Sequence, residues 1–160
     1  MGTSWIRSMR VLMKSTTKSG GTTLLLDRPS TISTLSTTIS KSFEIKALKS
    51  GAARLAIGAD VPVLPTIVWG SQRIWTKGRK RDFRRNKFPI SIYIGAPLYF
   101  TRETEVESAE AEIKAALEKL LREVQAEYPD PHQGQWWAPA RLGGTAPTLE
   151  AVEREREERG

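Results

Sequence analysis

The densest chemistry in the sequence lies in residues 73–87, the basic segment, where cations alternate with aromatic side chains. It holds eight Lys or Arg against one Asp, a net +7 that equals the formal net charge of the whole 160-residue chain. Cations attract phosphates, and aromatic rings suit a lipid interface or a stacked base. The segment therefore predicts an anionic membrane surface as partner, with nucleic acid or plain solvent as the alternatives. The predicted contacts are Arg73, Trp75, Lys77, Arg79, Lys80, Arg81, Arg84, Arg85 and Lys87.

A second candidate anion site lies at Lys49, Ser50 and Gly51, where a predicted helix begins. The free backbone N–H groups at a helix start favour an anion, and Lys49 adds a full charge. A Ser cap followed by a Gly that lets the chain turn explains the same residues equally well. On spacing alone, this structural interpretation is favoured.

Candidates for catalysis are few. The chain has no cysteine, which excludes disulfides, Cys-ligated metals and a Cys nucleophile. The single histidine, His132, cannot supply a multi-His metal site. No carboxylate follows it by four or five residues, so we predict a surface histidine, no catalytic residue, no metal and no cofactor.

The first half of the chain predicts alternating helix and strand. Residues 47–59 read as a helix that Ser50 caps, and residues 61–69 as an apolar strand with two prolines. Prolines move such a strand to an edge, a strand start or a bulge. Charged residues between 70 and 89 predict a loop. A helix followed by an apolar strand indicates α/β layering.

The second half adds a strand over 90–94, from its alternation with period two, and a long helix over 104–127. Thr104 and Glu107 predict a capping box at the start of that helix. Beyond it, residues 129–148 are rich in Pro and Trp and predict an extended segment, here called the tail. The charged residues 149–159 predict a solvated helix or a frayed end.

The sequence divides into three parts. Residues 1–37 are predicted to be a low-complexity, disordered segment, because 15–42 is rich in Ser and Thr; a short strand is predicted at 23–26. Residues 38–128 form the predicted α/β core, and 129–160 the tail and charged end. No apolar run approaches the roughly 20 residues that span a bilayer, so we predict neither a spanning helix nor a signal peptide. The absence of cysteine fits a reducing cytoplasm.

Four blocks after residue 37 resemble the bacterial 1-acyl-glycerol-3-phosphate acyltransferases. They are Thr-Ile-Ser-Lys-Ser-Phe-Glu at 38–44, Leu-Lys-Ser-Gly-Ala-Ala-Arg-Leu-Ala at 48–56, Val-Pro-Val-Leu-Pro at 61–65, and Trp-Gly-Ser-Gln-Arg-Ile-Trp at 69–75 with the basic segment after it. The third is similar to the family's Val-Pro-x-x-Pro block and consists of Val61, Pro62, Val63, Leu64 and Pro65. The order and spacing of the blocks carry the resemblance, which covers residues 38–147.

The resemblance implies a glycerolipid acyltransferase-like layered α/β fold on the inner face of the cell membrane. It implies transfer of an acyl chain from acyl-CoA or an acyl-carrier-protein thioester to lysophosphatidic acid, giving phosphatidic acid. The residues it places at the phosphate or substrate are Thr38, Lys49, Ser50, Gly51 and Arg54.

The chain departs from the family at its catalytic motifs. The His-x4-Asp motif, whose His is the general base, is absent, since the residue five after His132 is Trp137. The Phe-Pro-Glu-Gly-Thr block falls on residues 34–38, where only Thr38 matches. We therefore predict a catalytically incomplete family member with an incomplete N-terminal region, through truncation or a frame shift. A divergent protein without acyl transfer, a basic RNA- or DNA-binding module and a non-catalytic membrane-binding protein are the alternatives.

Overall fold

The computed structural model describes residues 11–15, 41–76, 79–80, 82 and 88–158, the first range by its backbone only. In chain order the helices and strands are β1 (Val11–Ser15), α1 (Gly51–Ala59), β2 (Thr66–Trp69), β3 (Ile90–Ile94), α2 (Val106–Ala126) and α3 (Leu149–Glu157). Single 3-10 turns lie at Ser71–Arg73 and Ala140–Leu142. The predicted α/β class is thereby confirmed at its coarsest level, as a small mixed α/β fold.

The three strands form one sheet in the order β1-β3-β2, with β1 parallel and β2 antiparallel to β3. Ile67 pairs with Tyr93 across β2 and β3, and these two buried side chains lie on the same face of the sheet. Helix α2 packs against β2 and β3 and also against α1. Tyr93 donates a hydrogen bond of 2.5 Å to Glu127 just beyond α2, and burial together with that bond raises its pKa to about 12.

Strand β3 has the predicted bounds, whereas β2 is shorter than the predicted 61–69. Pro62 and Pro65 have no N–H to donate to a ladder, so pairing before β2 is reduced to one bridge between Val63 and Leu98. In that bridge each backbone N–H donates to the partner's carbonyl over 2.9 Å. The Val-Pro-x-x-Pro block is therefore an extended segment that precedes β2 and pairs with the rest of the fold at one bridge.

Helix α2 is the amphipathic helix that the sequence predicts, and its apolar stripe is buried. The predicted capping box is wrong. The N-cap residue is Glu105, and its side chain makes no capping hydrogen bond. The Thr104 hydroxyl instead accepts a hydrogen bond of 3.1 Å from the backbone N–H of Thr101, within the preceding turn.

Helix α1 begins four residues later than predicted, at Gly51. Ser50 holds the N-cap position, but the predicted side-chain cap is absent. Its hydroxyl instead accepts a hydrogen bond of 3.2 Å from Arg54 Nε, which takes the oxygen away from the helix N–H groups. Asp60 ends the helix in the left-handed conformation, at φ 53°.

The tail belongs to the hydrophobic core. Trp137, Ala138 and Ala146 are buried in the same cluster as the α2 stripe. The C-terminal α3 is more than a solvated helix, because Val152 is buried and Glu155 pairs with Lys41 over 3.6 Å.

Residues 11–15 lie within the segment that was predicted to be disordered, yet they form β1 beside β3. The remaining predictions for residues 1–40, including the strand at 23–26, lie outside the described part of the chain.

Candidate functional site

A cleft of about 790 Å³ opens between the chain that follows β2 and the tail. The wall on the β2 side is built from Arg73, Arg79, Lys80, Asp82 and Phe88. The wall on the tail side is built from Gln135, Trp136 and Trp137. Cations and aromatic rings therefore meet in one concave site, although the two walls are at least 47 positions apart along the chain, from Phe88 to Gln135.

Arg73 holds the two walls together. Its guanidinium lies 4.2 Å from the ring centre of Phe88 and 4.7 Å from that of Trp137. It pairs with the Asp130 carboxylate and donates a hydrogen bond of 3.2 Å to the Tyr128 hydroxyl. The Arg73 side chain is only 14% exposed. Its placement differs from the predicted anion-facing one, because Asp130 already neutralises its charge.

Arg79 and Lys80 are the exposed cations of the cleft. The Arg79 guanidinium lies 4.1 Å from the ring centre of Trp136, a cation–π contact that holds it at the mouth. Trp136 in turn packs edge-on against Phe43, with ring centres 6.3 Å apart. Since a cation over a ring keeps its full charge and its outward N–H donors, this pair presents an organised surface to an anion.

Polar contacts from the β2 side fix the tail wall. Gln72 accepts a hydrogen bond of 2.8 Å from Gly70 N–H, and its amide donates to the Trp137 carbonyl over 3.4 Å. Gly70 has φ +97°, and a Cβ there would lie 2.2 Å from the Pro89 carbonyl oxygen, so this position requires glycine. The Tyr128 hydroxyl donates to that same oxygen over 2.7 Å. Burial raises the pKa of Tyr128, which keeps the phenol protonated as a donor.

His132 is not the surface histidine that the sequence predicts. Its ring packs among Trp69, Tyr128 and Trp137, with centroid distances of 6.2, 5.8 and 5.3 Å. Burial lowers the pKa of His132, and the charge of Arg141 lowers it further, against the opposing effect of Asp130. The imidazole lies behind Trp137 and is not among the described residues that line the cleft.

The predicted substrate residues at the start of α1 are not brought to the cleft. Lys49, Gly51 and Arg54 are exposed there, and none of them is among the described residues of the cleft walls. Trp75, 60% exposed, lies outside the walls as well. Several predicted contacts lie outside the described residues: Thr38, Lys77, Arg81, Arg84, Arg85 and Lys87.

Sequence reasoning missed the tail wall. The Pro- and Trp-rich tail was predicted only as an extended segment, whereas Trp137 is buried in it at 2% exposure. Nothing local indicates that Gln135 and Trp136 face the basic segment. The one available signal was charge, since Asp130, shortly after α2, is acidic and meets an arginine of the basic segment.

In the part of the chain that the structure describes, no group of three His, Asp or Glu side chains could hold a metal ion. None of the described helices has both the length and the apolar character needed to cross a bilayer. A scan against protein-family models found no match, and searches of the curated proteins and of the solved structures found no significant one. The acyltransferase resemblance therefore stays a prediction, and the cleft is the feature from which a function can be argued.

Proposed function

We propose that the chain binds the anionic head group of a phospholipid in the cleft, as a catalytically incomplete acyltransferase-like protein of phospholipid synthesis at the membrane surface. The observation that carries this proposal is the arrangement of Arg79 and Lys80 beside Trp136. The layered α/β architecture is compatible with an acyltransferase-like fold, and lysophosphatidic acid with an acyl-CoA or acyl-carrier-protein thioester are the substrates that the resemblance implies.

The side chains of the two walls suit the phosphate of a membrane lipid better than a phosphate ion dissolved in water. Each basic side chain near an anionic leaflet contributes about 1 kcal/mol of attraction. Tryptophan prefers the head-group level of a bilayer, because one end of the indole is apolar and its N–H is polar. Trp136 thus provides an amphipathic contact next to the two cations that attract the phosphate.

Acyl transfer requires a base that takes the proton from the attacking hydroxyl. His132 is the chain's one histidine, and its imidazole is packed behind Trp137. Loss of a general base lowers a rate by about 10² to 10⁴-fold. We therefore propose that the head group is bound without turnover of lysophosphatidic acid and acyl thioester. Robust product formation by the purified chain would contradict this part of the proposal.

Vesicle flotation tests the binding. The chain is mixed with vesicles of phosphatidylcholine alone or with added phosphatidylglycerol or phosphatidic acid, and we expect co-flotation only with the anionic vesicles. The double substitution Arg79→Gln/Lys80→Gln removes about 2 kcal/mol of attraction, which is about 30-fold in affinity.

The matched control is Arg102→Gln/Arg122→Gln, which removes the same charge from exposed positions that are not among the described residues of the cleft. Equal losses from both pairs would mean that net charge, and not the cleft, drives binding.

RNA is tested in parallel. RNA binding with a steep salt dependence and no vesicle binding would establish the nucleic-acid alternative instead.

A further inference from the structure

His132 lies where three parts of the chain meet. Trp69 comes from the end of β2, Tyr128 follows α2, and Trp137 belongs to the tail. All three rings contact the imidazole of His132, which is half-buried. Trp69 and Trp137 are almost completely buried. The histidine is therefore part of the contact between the tail, the sheet and α2. This contact, formed by Trp69, Tyr128, His132 and Trp137, is here called the joint.

The surroundings of the imidazole in this joint favour its neutral form over its protonated form. Its Nε2 is buried, and within the described structure it has no hydrogen-bond partner. A neutral ring carries one N–H, whereas a protonated ring carries an N–H on both nitrogens. Protonation therefore adds a positive charge to a half-buried ring and leaves a buried donor without an acceptor, which disfavours the packed state.

The charged and titratable groups around the ring do not offset this cost. Arg141, from the 3-10 turn of the tail, opposes a second positive charge, while Asp130 favours it. Both of these charges already have partners, since Asp130 pairs with Arg73 and Arg141 pairs with Glu44 over 3.3 Å. Tyr128 is a neutral phenol that donates to Pro89. The aromatic faces attract a cation, but only weakly compared with the loss of hydration.

We propose that protonation of His132 favours release of the tail from β2 and α2, so that a smaller fraction of the chain has an assembled cleft in mild acid than at neutral pH. The tail wall of the cleft begins three residues after the histidine, at Gln135, and ends at Trp137. Release at His132 therefore removes that wall. The effect on lipid binding rests on the proposed function, whereas the release itself does not.

The sign of the pH dependence follows from linkage. The pKa of His132 in the folded chain is below the ordinary value of 6.5. Between those two pKa values the unfolded chain binds more protons, so stability falls as the pH drops through about 6.5 and levels off below the folded-state pKa. Histidine is the side chain whose ordinary pKa, about 6.5, lies in the mild-acid range, and the chain has one.

Nuclear magnetic resonance tests the release directly, since one histidine gives one Cε1–H resonance. We expect that resonance to titrate with a midpoint below 6.5, and the indole N–H resonances of Trp69 and Trp137 to move with the same midpoint. A midpoint at or above 6.5, or indole resonances that ignore the titration, would overturn the proposal.

Two substitutions assign the effect to the imidazole. His132→Phe keeps a ring in the joint without a titrating group, and His132→Gln keeps a polar side chain without a charge. Between about pH 7.5 and about pH 5.5 we expect the melting temperature of the unsubstituted chain to fall by about 2–4 °C and that of each variant to stay level. A full decrease in both folded variants would show that another group is responsible.

Vesicle binding separates this inference from the proposed function. Acid makes the chain more positive, so without release it should bind phosphatidylglycerol vesicles equally well or better at about pH 5.5. Release predicts weaker binding there, restored by His132→Phe. If no vesicle binds at any pH but the resonances titrate together, the proposed function fails and the release stands.

Discussion

The start of α1 and the cleft carry similar cations in very different surroundings. At α1, Lys49 lies exposed just before the helix and Arg54 is exposed within it, and a Cβ added at Gly51 would meet nothing within 4 Å. At the cleft, Arg73 lies between two rings and beside a carboxylate, and Arg79 lies over Trp136. The difference teaches that a cation becomes part of a site through the groups that hold it in place, and not through its position in a motif.

Glycine substitutions should separate the two regions most strongly. We expect Gly70→Ala to destabilise the fold by about 3 kcal/mol or more, because the new methyl meets the Pro89 carbonyl and the backbone has positive φ. Gly51→Ala should be neutral or stabilising, by up to about 1 kcal/mol. Urea unfolding followed by circular dichroism measures both. Similar values for the two variants would contradict the tight junction described at Gly70.

Arginine substitutions give the next largest contrast. Arg73→Met should lower the free energy of unfolding by about 2–3 kcal/mol, since it removes two ring contacts and leaves Asp130 without its cation. Arg54→Met, on the exposed face of α1, should change it by less than about 0.5 kcal/mol. Thermal unfolding of the two variants under one buffer condition is the measurement. An effect at Arg54 as large as at Arg73 would show that the surroundings do not matter.

Vesicle binding compares the regions as anion sites. We expect Lys49→Gln/Arg54→Gln to weaken flotation with phosphatidylglycerol vesicles by no more than about twofold, because long-range attraction by exposed charges is screened by salt. The cleft variant Arg79→Gln/Lys80→Gln has the same change in charge and serves as the comparison. If the α1 pair proved the more important, the phosphate site implied by the acyltransferase resemblance would be favoured over the cleft.

The smallest expected effect is at Ser50. A serine that caps a helix with its side chain contributes about 1 kcal/mol, but the Ser50 hydroxyl is bonded to Arg54 instead. We expect Ser50→Ala to change the free energy of unfolding by less than about 0.5 kcal/mol. Chemical denaturation resolves this from a true cap, and a loss near 1 kcal/mol would mean that the hydroxyl caps α1 in solution.

Local patterns predicted most of the elements, although β1 lies in a segment that was predicted to be disordered. The alternation over 90–94 and the apolar stripe of α2 correspond directly to β3 and its covering helix. Prolines indicated the edge character of the chain before β2 but not how far they shorten the strand. Caps were predicted poorly at both helices, because Ser50 and Thr104 each have a competing partner within a few residues.

The site was only half predictable, for a different reason. Charge density indicated Arg79 and Lys80, which line the cleft. Arg73 and His132 were predicted to be exposed, because their neighbours in sequence do not indicate the distant rings that contact them, Trp137 at Arg73 and Trp69 at His132. Contacts between residues more than fifty positions apart depend on the folded topology, and one sequence carries no local trace of them.

The distance along the chain between the two walls also has a consequence during synthesis. Gln72 and Trp137, which are hydrogen-bonded in the fold, are 65 residues apart. At about 5–20 residues per second, a ribosome needs about 3–13 s to make the tail after β2 has been made. Throughout that interval Trp69 lacks its cover from Tyr128, His132 and Trp137. A nascent chain stalled before the tail would therefore present this tryptophan to chaperones, and the completed chain would not.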